Sequence, residues 1–120
     1  MLRRIRNNTP TNETKNRIWY CDQFMDLFVW LSESDKLLRF QLSYDKPLAE
    51  KSLMWDHNEG YVHASVDDGS NPGRHPSSPI LLDTVPIEKM RLIQELAHNR
   101  GELPETLCKG IIEAIRVAPL

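Results

Sequence analysis

Apolar residues fall in runs and alternations of strand length through the first half of the chain, and at helical spacing only near its end. Residues 26–32 are apolar at nearly every position and bounded by Ser, Glu and Asp, which predicts a strand buried on both faces. Residues 37–44 alternate. Leu38, Phe40, Leu42 and Tyr44 point one way, and Arg39, Gln41 and Ser43 the other. The polar connector 33–36 has hairpin length. Residues 51–56 and 61–67 are a third and fourth strand, joined around His57, Asn58, Glu59 and Gly60, where the glycine supplies the positive φ a turn needs. Two short apolar stretches flank this set. Residues 18–21 are either an edge strand or a cap under the sheet, and residues 79–83 return as a fifth strand.

The same pattern sets the register. If Leu31 faces Leu38, Val29 faces Phe40 and Leu27 faces Leu42, one apolar face is continuous. The other face then sets Trp30 beside Arg39, a cation–π geometry. In the next hairpin the hydrophobic pattern prefers Asp56 facing Tyr61. That puts Trp55 on Val62 and Leu53 on Ala64 in the core, with Met54 on His63 and Ser52 on Ser65 outside. A three-residue loop closing on Gly60 shifts the pairing by one, to Trp55 against His63, and mixes the faces. The second face therefore carries Phe28, Trp30, Arg39, Gln41, Met54, Asp56, Tyr61, His63 and Ser65.

Two helices close the chain. Thr84 is a candidate N-cap with Pro86 at the first position and Glu88 in the first turn, and Met90, Ile93, Leu96 and Ala97 form the stripe. Gly101 marks the stop. Pro104 and Glu105 open the second helix, with Leu107, Cys108, Ile111, Ile112 and Ile115 inward and Gly110 as a weak point. Strands first and helices last argue for an α+β fold: an antiparallel four- to five-stranded meander with two C-terminal helices packed on one face.

Composition narrows the class. The chain has 120 residues, enough for one domain, and we place it at 17–120 behind a flexible polar tail at 1–16. A net charge of −2 supplies no field for nucleic acid or a membrane surface. Arg3, Arg4 and Arg6 form either a phosphate-touching arm or a solvated start, and the acidic balance of the remainder favours the latter. No apolar segment follows them, so no secretory signal is expected, and no run approaches a membrane span. Cys21 and Cys108 lie far apart and outside any C-x-x-C pair, which suits a reducing cytoplasm.

Candidate chemistry is sparse. His57, His63, Asp67, Asp68 and His75 are metal-ligating types, and His63 and Asp67 share a strand face. Their spacing matches no established metal pattern, and Asp67-Asp68-Gly69 reads first as a turn. Cys108 sits on an apolar helix stripe, where cysteine is an inert small hydrophobe. Cys21 has no base nearby in sequence, and Ser77 and Ser78 lack a G-x-S-x-G frame. Gly69 and Gly73 build no phosphate loop.

The stretches Asp26-Leu-Phe-Val-Trp, Phe40-Gln-Leu-Ser-Tyr-Asp45, Val66-Asp-Asp-Gly69 and Pro79-Ile-Leu81 resemble small uncharacterised bacterial proteins of unknown function, over about residues 18–115. The resemblance implies a bacterial, cytoplasmic setting and carries over no catalytic residue. The expected protein is thus a non-enzymatic binding or assembly module. Phe28, Trp30, Arg39, Gln41, Met54, Tyr61 and His63 form its ligand or interface surface, and the partner is a second copy in a homodimer, another protein or a small molecule. No cofactor, catalytic residue, membrane or nucleic acid is expected. The alternative is a metal-binding protein or small metal-dependent enzyme holding a divalent ion through His63 and Asp67.

Overall fold

A computed structural model of the chain describes residues 1–5, 17–46, 50–65 and 87–119. Six strands form one antiparallel meander: β1 (Arg3–Ile5), β2 (Arg17–Cys21), β3 (Asp26–Leu31), β4 (Leu37–Tyr44), β5 (Lys51–Asp56) and β6 (Gly60–Ser65). Each pairs with its chain neighbour, in the order β1-β2-β3-β4-β5-β6. Two helices follow, α1 (Lys89–His98) and α2 (Glu105–Arg116). The α+β meander with two C-terminal helices is as the sequence pattern requires, but the sheet has six strands, not four or five.

The extra strands lie at the start. Residues 18–21 pair on both sides within β2, because Asp22 closes a tight turn: its Oδ1 accepts from the Phe24 and Met25 backbone amides at 2.7 and 2.8 Å. Arg3–Ile5, placed in the tail by composition, pairs with β2. It is held by Leu2, whose amide donates to the Asn99 carbonyl at 2.9 Å and whose carbonyl accepts from the Glu102 amide at 2.8 Å. Residues 6–16 and the expected strand at 79–83 lie outside the described residues, as do Thr84, Pro86 and the loop residues Asp67, Asp68 and His75.

The β3–β4 register is the expected one through its centre: Leu27↔Leu42, Val29↔Phe40 and Trp30↔Arg39. It then steps by one residue to Leu31↔Leu37, leaving Leu38 as a bulge. The cause is a tight connection in which Asp35 takes a φ of 63° and the Ser32 hydroxyl accepts from the Lys36 amide at 3.0 Å.

The β5–β6 register differs from the favoured pairing, and the difference decides which side chains share a face. Asp56 pairs with Gly60, Trp55 with Tyr61, Leu53 with His63 and Ser52 with Ala64. The loop has three residues after all, but the shift runs the other way and brings Tyr61, not His63, opposite Trp55. Backbone geometry selects it. Gly60 takes a φ of 90°, and the Asp56 carboxylate accepts from the Asn58 and Glu59 amides at 2.8 and 3.2 Å, fixing where the turn begins. A one-residue slip turns every β6 side chain over. Tyr61 and His63 therefore join the core face, and Val62 and Ala64 the other.

The core lies between the sheet and both helices. Tyr20, Leu27, Val29, Phe40, Leu42 and Leu53 from the sheet pack with Leu92, Leu96, Leu103, Cys108, Ile111 and Ile115. In α2 the expected inward residues are the observed ones, with Leu107 and Ile112 partly buried against the cluster. In α1 the stripe is rotated. Leu92 and Leu96 are buried, whereas Met90 is 68% exposed and Ala97 is exposed. Arg91 sets this rotation by a two-pronged ion pair with Asp45, at 3.0 and 2.8 Å, from the end of β4.

Candidate binding face

Because β-strand side chains alternate, the face away from the helices can be read off the register as three rows running across the sheet. The middle row is Ile5, Trp19, Phe28, Gln41, Met54 and Val62, one residue from each strand, and five of the six are apolar. Beside it runs Arg17, Trp30, Arg39 and Asp56. On its other side are Arg3, Cys21, Asp26, Ser43, Ser52 and Ala64, a floor whose side chains from Ser43 onward are small. Both helices lie on the opposite face, packed in the core cluster.

The aromatic side chains support one another. Trp19 and Phe28 stack with centroids 5.5 Å apart and planes at 16°, and Phe28 meets Trp30 at 6.4 Å. The Arg39 guanidinium stands 4.8 Å from the Trp30 ring centre, the cation–π pair expected from the register, and Arg17 stands 4.9 Å from Phe28. Each such contact contributes about 0.5–1 kcal/mol at an exposed site. Alternating rings and guanidinium groups thus stand as a pre-ordered ridge that loses little side-chain entropy on docking.

Asp26 anchors the inner end of this ridge. It accepts from Trp19 Nε1 at 3.0 Å and pairs with Lys46 Nζ at 2.5 Å. Partial burial pushes its carboxyl upward, but hydrogen bonds from Lys46, Cys21 and Trp19 outweigh that and hold it below the usual carboxylate range. Burial, then the Asp26 carboxylate, push the Cys21 thiol up, so it is a weak nucleophile. On the floor, Ser43 and Ser52 are only 7% and 8% exposed, and among the described residues Ser52 Oγ is buried without a hydrogen-bond partner.

Five of the seven expected surface residues are brought together here: Phe28, Trp30, Arg39, Gln41 and Met54. Tyr61 and His63 are not. The Tyr61 hydroxyl donates to the Ala114 carbonyl of α2 at 2.7 Å. His63 is 0% exposed and meets the Tyr44 hydroxyl at 2.5 Å. The β6 register explains both placements. His63 is therefore turned into the core, its expected co-ligand Asp67 lies outside the described residues, and no group of three or more His, Cys, Asp or Glu among the described residues is arranged to hold a metal ion. Pattern reading missed Ile5, Arg17, Trp19 and Val62 on this face. The usable signal was the alternation of Trp19 with Tyr20, which makes residues 17–21 a paired strand rather than a cap.

The chain matches no protein-family model, no curated protein and no solved structure. Function therefore has to be argued from the face itself.

Proposed function

We propose that this chain is a non-enzymatic binding or assembly module whose working surface is the sheet face bearing Trp19, Phe28, Trp30, Arg39 and Met54. One observation carries the reading: a row of six side chains, five of them apolar, crosses all six strands on the face opposite the helices, edged by two arginines stacked on aromatic rings. Aromatic, methionine and arginine side chains are the types enriched at protein interfaces. Ile5 in this row is exposed, and Trp19, Phe28, Met54 and Val62 are half-buried, so each still has apolar surface to offer a partner. Two free cysteines suit a reducing, cytoplasmic setting, and no helix among the described residues is long and apolar enough to cross a membrane.

The test is acrylamide quenching of a Trp55→Phe chain, whose two remaining tryptophans, Trp19 and Trp30, both lie on this face, across a wide concentration series. Both should be shielded once the face is engaged, and Trp30→Ala in the full chain should weaken association while leaving the circular dichroism unchanged. A chain that stays monomeric at high concentration with both freely quenched overturns the reading.

A further inference from the structure

We infer that the occupant of this face is a second copy of the same chain, docked face to face about a two-fold axis that runs parallel to the strands between β3 and β4. The inference rests on the binding role proposed above and adds the partner and its orientation.

A two-fold axis along the strand direction keeps each of the three rows facing itself and reverses the strand order, so β2 lies over β5 of the other copy and β3 over β4. The rows are complementary under that operation. In the outer row, Arg17 of one copy meets Asp56 of the other, and Trp30 meets Arg39. In the middle row, Trp19 meets Met54, Phe28 meets the Gln41 amide, and Ile5 meets Val62. On the floor, Arg3 comes over Ala64 and Asp26 over Ser43, but Ser43, Ser52 and Ala64 are already buried within one chain, so the contact is made by the outer and middle rows. Each match occurs twice, as an isologous contact requires.

The other in-plane axis, perpendicular to the strands, is worse on the same register. It exchanges the outer row with the floor, placing Arg17 over Cys21, Arg39 over Ser43 and Asp56 over Ser52, so none of these charges meets its opposite. Both axes keep the two sheets aligned, the common arrangement of packed sheets, so the choice between them rests on the row pairing. Six strands about 4.8 Å apart and the two rows outside the floor, about 6.8 Å apart, give a flat footprint of roughly 400 Å² per copy before side-chain relief, which places the contact among the small, transient interfaces.

The experiment is a double-mutant cycle read by sedimentation equilibrium on the full chain: wild type, Arg17→Glu, Asp56→Asn and the double variant. Asparagine keeps the side-chain oxygen that caps the β5–β6 turn, so the second position loses its charge without losing its fold. Arg17→Glu should raise the dimer dissociation constant about tenfold or more beside Asp56, by lost attraction and new repulsion, and by a few-fold at most in the Asp56→Asn background. A dimer that Trp30→Ala dissociates, but in which the two changes act independently, overturns this orientation and leaves the aromatic face as the binding surface. A monomer at all concentrations whose Trp19 and Trp30 are nevertheless shielded overturns the second copy as occupant. A monomer in which these tryptophans are freely quenched overturns both.

Discussion

The Tyr44 hydroxyl lies 2.5 Å from His63 Nε2, with both rings sealed from solvent on the helix-covered face of the sheet. Burial, and next the adjacent Asp45 carboxylate, push the Tyr44 phenol up to about 12. Burial also raises Tyr20 and Tyr61, so all three tyrosines of the chain are shifted the same way. An unfolded tyrosine ionises near ~10. A phenol whose folded pKa is raised contributes stability that is fully present below the unfolded value and is lost as pH climbs toward the folded one. Ultraviolet absorbance of the native chain should therefore show no tyrosine ionising at its ordinary pH, and stability should fall between about pH 10 and 12. Tyr44→Phe should remove the largest part of that alkaline slope. It should also cost ~1–3 kcal/mol at neutral pH, because it withdraws a hydroxyl from a fully buried imidazole. Native tyrosines titrating at the ordinary value would contradict the sealed pair.

Asp45 gives the opposite dependence at the acid end. The Arg91 guanidinium bonded to it, aided by Lys51 at 3.2 Å, holds its carboxyl below the usual range against a smaller upward push from burial. A lowered folded pKa contributes stability present above the unfolded value of ~3.9 and lost as pH falls through the folded one. Asp45 also sits at a φ of 61°, a conformation asparagine tolerates, so Asp45→Asn removes the charge and spares the backbone. The variant should lose about 1 kcal/mol at neutral pH and show a shallower acid profile in urea unfolding. Equal stability of both chains at neutral pH would mean that the Arg91 fork does not set the position of α1.

How far the fold was legible follows from what fixed each element. The β3–β4 pairing was readable because Leu27, Val29, Phe40 and Leu42 leave hydropathy one good solution. The β5–β6 pairing was not, since Tyr61 or Val62 and His63 or Ala64 are comparable candidates for the core. The choice fell to the Asp56 carboxylate and the positive φ of Gly60, which a hydrophobic pattern does not weigh. That one step moved Tyr61 and His63 off the candidate face. Arg3–Ile5 was missed for another reason. Its anchor is a backbone pairing of Leu2 with Asn99 and Glu102, nearly the whole chain away. The rotated stripe of α1 likewise depends on the Asp45–Arg91 contact between distant segments.

Gly110 is a glycine the fold does not need. It lies on the exposed side of α2, its φ is not in the left-handed region, and an added Cβ would meet nothing within 4 Å. Gly110→Ala should therefore stabilise the chain by ~0.5–1 kcal/mol, read as an upward shift in the thermal midpoint with no change in oligomeric state. A loss of stability would mean that the bare helix surface at Gly110 is in use as a contact.

Gly101 is the opposite case. Its φ is +53°, and a Cβ there would stand 2.9 Å from the amide nitrogen of Leu2, with the Leu2 carbonyl nearer still. Both colliding groups belong to the backbone of a residue that is 0% exposed and bonded to Asn99 and Glu102, so they have nowhere to retreat. The left-handed conformation alone costs alanine about 1–2 kcal/mol. Gly60 offers the internal control, with a φ of +90° and open space around its missing Cβ. Gly101→Ala should exceed Gly60→Ala in cost by ~1 kcal/mol or more, the share due to displacing Leu2. Hydrogen exchange should locate that excess, with the Leu2 and Glu102 amides losing protection in the Gly101 variant and keeping it in the Gly60 one. Equal costs, with both amides still protected, would show that the Leu2 clamp yields freely and that β1 is held by its pairing with β2 alone.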